Sequence, residues 1–137
     1  MTNICAAIGL AQLEQIEEIL TKKKQIACWY REGFNNSGFI LQGESENVEN
    51  SYWMCTVLIP EGMDRHALKL YLINVGIETR PMFYPIHTMP VYSQKYEKHP
   101  MAESLARRGI NLPSYPGLSK EDVSEIVSSV KSYKDSF

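Results

Sequence analysis

Residues 4 to 11, Ile-Cys-Ala-Ala-Ile-Gly-Leu-Ala, are apolar nearly all round. They open a stretch that reads as one long helix from residue 3 to about 34. A helix with no polar face is normally buried on every side. Ala6, Ala7 and Gly9 also permit close approach of another backbone. A small domain has too little protein to cover this segment as well as its own core, so the pattern calls for a covering partner. Further along, Ile16, Ile19, Leu20, Ala27, Tyr30 and Phe34 keep to one stripe. Glu14, Glu17, Glu18 and Lys22 to Lys24 take the other side. Acidic residues come early and lysines late, which suits the helix dipole.

The rest alternates short strands with helices. Residues 35 to 50 are turn-rich and polar, with room for a short strand at Phe39 to Gln42. Tyr52 to Ile59 is the clearest strand. Trp53, Cys55, Val57 and Ile59 mark one face, and Tyr52, Met54, Thr56 and Leu58 the other. Both faces are largely apolar, so this strand is expected at the centre of a sheet. Asp64 reads as the cap of a helix running to Val75, with Leu68, Leu72 and Val75 inward and Gly76 as the stop. Ile77 to Arg80 is a short strand, and Tyr92 to Lys98 fits neither period clearly. Met101 to Arg108 is a helix ended by Gly109, followed by a strand at Ile110 to Leu112. Ser119 with Asp122 forms a capping box for a last helix, whose apolar face is Val123, Ile126, Val127, Val130 and Tyr133. The expected fold is α+β, one domain over 1–137. It has a small mixed or antiparallel sheet covered on one face by helices, and a long N-terminal helix.

Several classes are excluded. A net charge of −2 gives no general attraction to nucleic acid or anionic membranes. Aromatics are not interleaved with basic residues, which argues against an RNA-binding sheet. No apolar run approaches a membrane span. The start lacks the basic region of a signal peptide. Cys5, Cys28 and Cys55 form no CxxC pair, so no zinc or other metal site is expected. They read as buried, reduced thiols of a cytoplasmic protein. Serine-hydrolase and phosphate-loop motifs are absent.

The stretch Gly76 to Pro90 holds Arg80, Tyr84 and His87 among Pro81, Pro85 and Pro90. Such a stiff polar loop suits a site. His87 near Arg80 and Tyr84 suits binding an anion or a sugar hydroxyl. The plainer alternative is that Arg80 pairs with a carboxylate and the aromatics pack. His66 falls on a solvated helix face and His99 in a polar loop. Ser114-Tyr115-Pro116 is a second rigid loop, expected to meet the first at one edge of the sheet. Asn3 caps the first helix by default, or presents its amide to a phosphate near the helix dipole.

The chain resembles a known family. Met1-Thr2-Asn3-Ile4-Cys5-Ala6-Ala7-Ile8-Gly9-Leu10-Ala11-Gln12-Leu13-Glu14 is similar to the start of the C-terminal portion of the DegT/DnrJ/EryC1/StrS aminotransferases. Gly76 to Pro90 and Arg108-Gly109-Ile110-Asn111-Leu112-Pro113-Ser114-Tyr115 resemble that family's later motifs, in the right order. The resemblance spans essentially all 137 residues, and Arg80 to His87 looks most like perosamine synthase-type members. It implies the small C-terminal domain of a fold-type I enzyme that uses pyridoxal phosphate. Such enzymes move an amino group, usually from glutamate, onto a keto sugar carried by a nucleotide, and work as homodimers with sites at the subunit interface. By the resemblance, Asn3 reaches the cofactor phosphate of the neighbouring subunit. Arg80, Tyr84 and His87 lie near the nucleotide sugar, with Ser114 and Tyr115 as neighbours. The family's large domain, with its Schiff-base lysine, has no counterpart here. Lys22 to Lys24, Lys69, Lys95, Lys98 and Lys120 all read as helix-surface or loop lysines. The expectation is a domain that binds no cofactor and is inactive by itself. It associates with itself or with a large domain. The alternative is a stand-alone interaction module that pairs with a separate large domain or has lost catalysis.

Overall fold

The computed structural model describes residues 1–93 and 97–134. Part of the Tyr92 to Lys98 stretch, with Lys95, lies outside them. The expected single N-terminal helix is two helices, α1 (Asn3–Leu13) and α2 (Ile16–Gly33). The helical ladder breaks at Glu14 and Gln15, where Gln15 takes φ −107° and ψ 5° and its N–H turns to Gln12 O at 3.2 Å. α1 buries no residue. Ile4, Ile8, Leu10 and Leu13 are 74, 62, 58 and 65% exposed. Apolar side chains so open favour association. The chain is therefore expected to sediment as an oligomer, and Ile8→Lys with Leu13→Lys as a monomer. A monomeric parent chain at high concentration would contradict this.

Four strands follow: β1 (Ile40–Leu41), β2 (Cys55–Leu58), β3 (Arg80–Pro81) and β4 (Gly109–Leu112). Their order is β1-β2-β4-β3, and every pairing is antiparallel. Period-2 alternation assigns the two faces. Cys55 opposite Leu112 and Val57 opposite Ile110 face the helices. Thr56 opposite Asn111, with Arg80 beside Asn111, lies on the other face. α2, α3 (Arg65–Asn74) and α5 (Lys120–Lys134) cover the first face. Ile26, Tyr30, Leu68, Leu72, Val123 and Val130 form the centre of that core. Tyr30 carries its phenol through the core to donate to Pro113 O at 2.8 Å, and burial pushes its pKa well up.

Three local expectations change. The strand expected from Tyr52 starts only at Cys55, because Tyr52 sits at φ 46° with its N–H on Asn50 Oδ1 at 2.9 Å. That turn sends Trp53 outward. Val75 is exposed and terminates α3 instead of packing inward. The strand expected at Ile77 to Arg80 is shifted to Arg80–Pro81. The thiols also differ: only Cys55 is buried, whereas Cys5 is exposed and Cys28 half-buried.

The caps of α3 and α5 agree with the sequence. Asp64 Oδ1 accepts from His66 N at 2.7 Å and Ala67 N at 3.2 Å. At α5, Asp122 N donates to Ser119 Oγ while Ser119 N and Oγ donate to Asp122 Oδ2. Ser119→Ala is expected to cost about 1 kcal/mol in urea unfolding. The Ser119 hydroxyl, then its N–H, hold the Asp122 carboxyl below its ordinary value. A folded-state pKa below the unfolded one means Asp122's contribution is complete above the unfolded value. It is lost as pH falls through the folded one. The penalty of Ser119→Ala should therefore shrink in acid. An unchanged penalty at low pH would contradict this.

Candidate functional site

The Gly76 to Pro90 stretch begins at a Schellman turn. Gly76 N donates to Ile73 O at 3.0 Å and Ile77 N to Leu72 O at 2.8 Å, with Gly76 at φ 83°. Glycine suits that left-handed position, and the turn reverses the chain onto the sheet edge. There Arg80 pairs with Glu78 Oε1 at 2.6 Å. Both side chains are mostly exposed, so the pair is worth little and is easily exchanged. Arg80, Ile77 and Asn111 border a cleft of about 610 Å³ whose other wall is Tyr115, Asp122 and Glu125. The two rigid loops thus meet at one edge, as expected of loops joined to short neighbouring strands.

Tyr84 opens elsewhere, into a cleft of about 240 Å³ with Arg65, His66 and Lys69 of α3. His87, in the 3-10 turn Ile86–Thr88, has Nε2 3.2 Å from Glu103 Oε1 of α4 (Pro100–Arg108). Its ring meets that of His99 edge-on at 4.6 Å. Arg80, Tyr84 and His87 are therefore neighbours along the chain that take three different surroundings. His66 is exposed, as expected. At the far end, Thr2 Oγ1 accepts from Cys5 N at 3.3 Å, so Thr2 and not Asn3 caps α1. Asn3 is left exposed at the helix start.

Lys23 was read as a surface lysine, and it is not one. It is half-buried, with Nζ donating to Trp53 O at 2.9 Å, Ser114 O at 2.6 Å and Ser114 Oγ at 3.0 Å. Burial pushes its pKa down. Burial likewise pushes the neighbouring Cys55 thiol up, against opposing pulls from Lys23 and Ser114. The ammonium ties α2 to the turn before β2 and the loop after β4. Its position at spacings of three and four from Leu20 and Ala27 was the available signal.

Sequence reading also missed an aromatic pair. Trp53 and Phe83 stack with centroids 6.3 Å apart and planes 26° apart. They lie on the helix-free face of the sheet, beside a cleft of about 300 Å³ bordered by Gln42, Asn50, Thr56 and Asn111. Thr56 Oγ1 donates to Asn111 Oδ1 at 2.6 Å, and Asn111 Nδ2 to Pro81 O at 3.2 Å. Among the described residues there is no cluster of His, Cys, Asp and Glu able to hold a metal, and no helix long and apolar enough to cross a membrane.

Comparison with known proteins gives one consistent picture. The profile of the DegT/DnrJ/EryC1/StrS aminotransferase family matches residues 1–131. GDP-perosamine synthase of Escherichia coli O157:H7 is 50% identical over 133 residues, covering 97% of this chain but 36% of that protein. The Vibrio cholerae GDP-perosamine synthase is 42% identical, with 97 and 37% covered. A putative sugar aminotransferase from Streptococcus pneumoniae, solved in apo, PMP and PLP forms, superposes with a TM-score of 0.90 at 26% identity. It is matched over 99% of this chain and 36% of its own. The chain thus spans little more than a third of the relatives it matches.

Proposed function

The chain belongs to the DegT/DnrJ/EryC1/StrS aminotransferase family, and from that premise we propose that it is the C-terminal domain of a nucleotide-sugar aminotransferase of the perosamine synthase type. The parent activity is amino transfer from glutamate to a keto sugar carried on a nucleotide. The observation that carries this is 50% identity to a GDP-perosamine synthase along 97% of the chain, against 36% of that enzyme. The rest of such an enzyme would bring the cofactor site and pack on α1, whose apolar side chains this chain leaves open.

Pyridoxal phosphate, when bound, supplies the electron sink for such a transfer. The described residues do not fit it by themselves. Lys23 Nζ is committed to three oxygens, Lys22 pairs with Glu18, and Lys24 with Glu49. Lys69 borders the Tyr84 cleft, but no carboxylate that would hold a pyridine nitrogen borders it. In this reading Asn3, at the open N-terminus of α1, meets the cofactor phosphate of a neighbouring subunit. Arg80, Tyr84 and His87 contribute to the nucleotide-sugar side, His87 positioned by α4.

A chimera tests the proposal. The C-terminal portion of the E. coli GDP-perosamine synthase is replaced by this chain, and glutamate-dependent amination of the keto-sugar nucleotide is measured. Activity within about tenfold of the parent is expected. A folded, cofactor-loaded chimera with no turnover would refute the reading and favour a module that has lost catalysis.

A further inference from the structure

We propose that the cleft of about 240 Å³ between α3 and Tyr84 binds a phosphate group additional to the nucleotide sugar. Arg65, His66, Lys69, Pro81, Tyr84 and Ile110 border it. Two of the six are cations, His66 can become a third, Tyr84 adds a phenol, and none is acidic. Among the described residues no carboxylate forms an ion pair with Arg65, His66 or Lys69. The chain as a whole has a net charge of −2, so this unbalanced positive patch is local.

Helix stability does not account for the patch. Arg65 and Lys69 stand at i and i+4 on α3, a spacing at which like charges repel. Arg65 and His66 also lie in the first turn, where the helix dipole disfavours cations and no acidic residue offsets them. A local rule broken without compensation marks a functional position. The first-turn N–H groups are not the ligand's donors, because Asp64 Oδ1 accepts from His66 N and Ala67 N. The donors are side chains. Arg65 Nη1 donates to Ala106 O at 2.5 Å, which fixes the guanidinium against the end of α4 and leaves its other nitrogens for a ligand. A phosphate matches this set: arginine and lysine both bind it, and its oxygens outnumber the two of a carboxylate. Free phosphate and a phosphate monoester share that chemistry. The cleft also lies across the sheet from Arg80. Pro81 pairs with Ile110 on the helix-covered face, whereas Arg80 pairs with Asn111 on the other. Tyr84 alone is shared with the residues assigned above to the nucleotide sugar, so the anion meets that loop from its α3 side.

The test is a titration of the 15N-labelled 137-residue chain, read by NMR, with inorganic phosphate, glycerol phosphate, acetate and chloride at one ionic strength. Phosphate is expected to shift the amides of residues 65 to 69 and Tyr84 saturably, with acetate about fivefold weaker or more. Glycerol phosphate binding as well as phosphate assigns the site to monoesters, and its exclusion assigns it to the free ion; both support the site. Lys69→Met should weaken phosphate about tenfold, the loss of one hydrogen bond to a charged group, and Lys69→Arg should restore most of the affinity. Lys69→Glu should abolish binding and yet raise the urea midpoint in phosphate-free buffer, because it removes the repulsion from Arg65. A lysine with only a structural role would lower that midpoint. Shifts that chloride reproduces, or a Lys69→Met chain that binds phosphate like its parent, would overturn the proposal. In an active chimera Lys69→Met should leave KM for the sugar nucleotide within about twofold. A rise of about tenfold would show that the cleft holds the substrate's own phosphates, and would overturn the claim of a separate site. An inactive chimera bears on the proposed function alone, because the titration is read on the chain itself.

Discussion

Gly109→Ala is expected to destabilise the chain by about 3 kcal/mol, the upper end of the usual cost of overpacking. Gly109 starts β4 directly after α4, with no loop between them. A Cβ there would lie 2.7 Å from Leu105 O, 2.7 Å from Met82 Sδ and 2.8 Å from Met82 Cβ. The sulfur can swing away, but the carbonyl belongs to the helix, where it accepts the Gly109 N–H. The backbone is extended at φ −75°, so the penalty is steric and owes nothing to handedness. Urea unfolding should show the loss, with a fall in Tm of roughly 10 °C. Met82→Ala should not rescue it, because the Met82 Cβ remains. Gly43→Ala is the control, since nothing lies within 4 Å of its added Cβ. A Gly109→Ala variant as stable as Gly43→Ala would show that β4 can slide from the helix end at little cost.

The second large effect concerns activity. The isolated 137-residue chain is expected to transfer no amino group, a loss of about six orders of magnitude or more relative to an active chimera. A cofactor lysine must be exchangeable and lie opposite groups that hold the ring. The half-buried Lys23 resembles one by its lowered pKa alone. Its three oxygen acceptors show a structural tie between α2 and two loops. Lys134 likewise donates to Ser37 O at 2.7 Å, pinning the end of α5 to the turn after α2. Pyridoxal phosphate added to the chain should leave no bound absorbance after gel filtration, and glutamate with a keto-sugar nucleotide should yield no amino sugar. Bound cofactor together with turnover would sink this expectation.

The regular elements were legible because burial imposes a period. The five-residue stripe of α5 is buried in full, from Val123 to Tyr133. Leu68 and Leu72 are wholly enclosed. The break between α1 and α2 was not legible, since no proline or glycine marks it. Trp53 was read as a strand residue because it alternates correctly with Cys55 and Val57. The positive φ at Tyr52, held by an Asn50 contact, overrides that alternation. The site loop shows a different limit. Arg80, Tyr84 and His87 are close in sequence, yet the strand ends at Pro81 and a 3-10 turn starts at Ile86, so no single period relates their directions. Phe83 goes to the helix-free face with Trp53, and Tyr84 to the side of α3. Nothing in the order of residues says which partner each will meet, because those partners arrive from residues 50 to 69 and 99 to 115. Lys23 carries the same lesson in reverse. Its place on the stripe was visible, but its charge argued for the surface.

The strand order bears on how such a chain can change. β3 and β4 are neighbours in the sheet, yet residues 82 to 108 separate them in sequence. The chain leaves and re-enters at adjacent positions, Pro81 opposite Ile110, with Phe83, Tyr84 and His87 on the excursion between. Lengthening a loop closed at both ends costs only about 0.6 kcal/mol per doubling. The excursion can therefore gain or lose residues while the Cys55 to Leu112 pairing beneath it stays intact. Over evolutionary time, the side chains carried on that excursion can be exchanged with little disturbance to the sheet that anchors it.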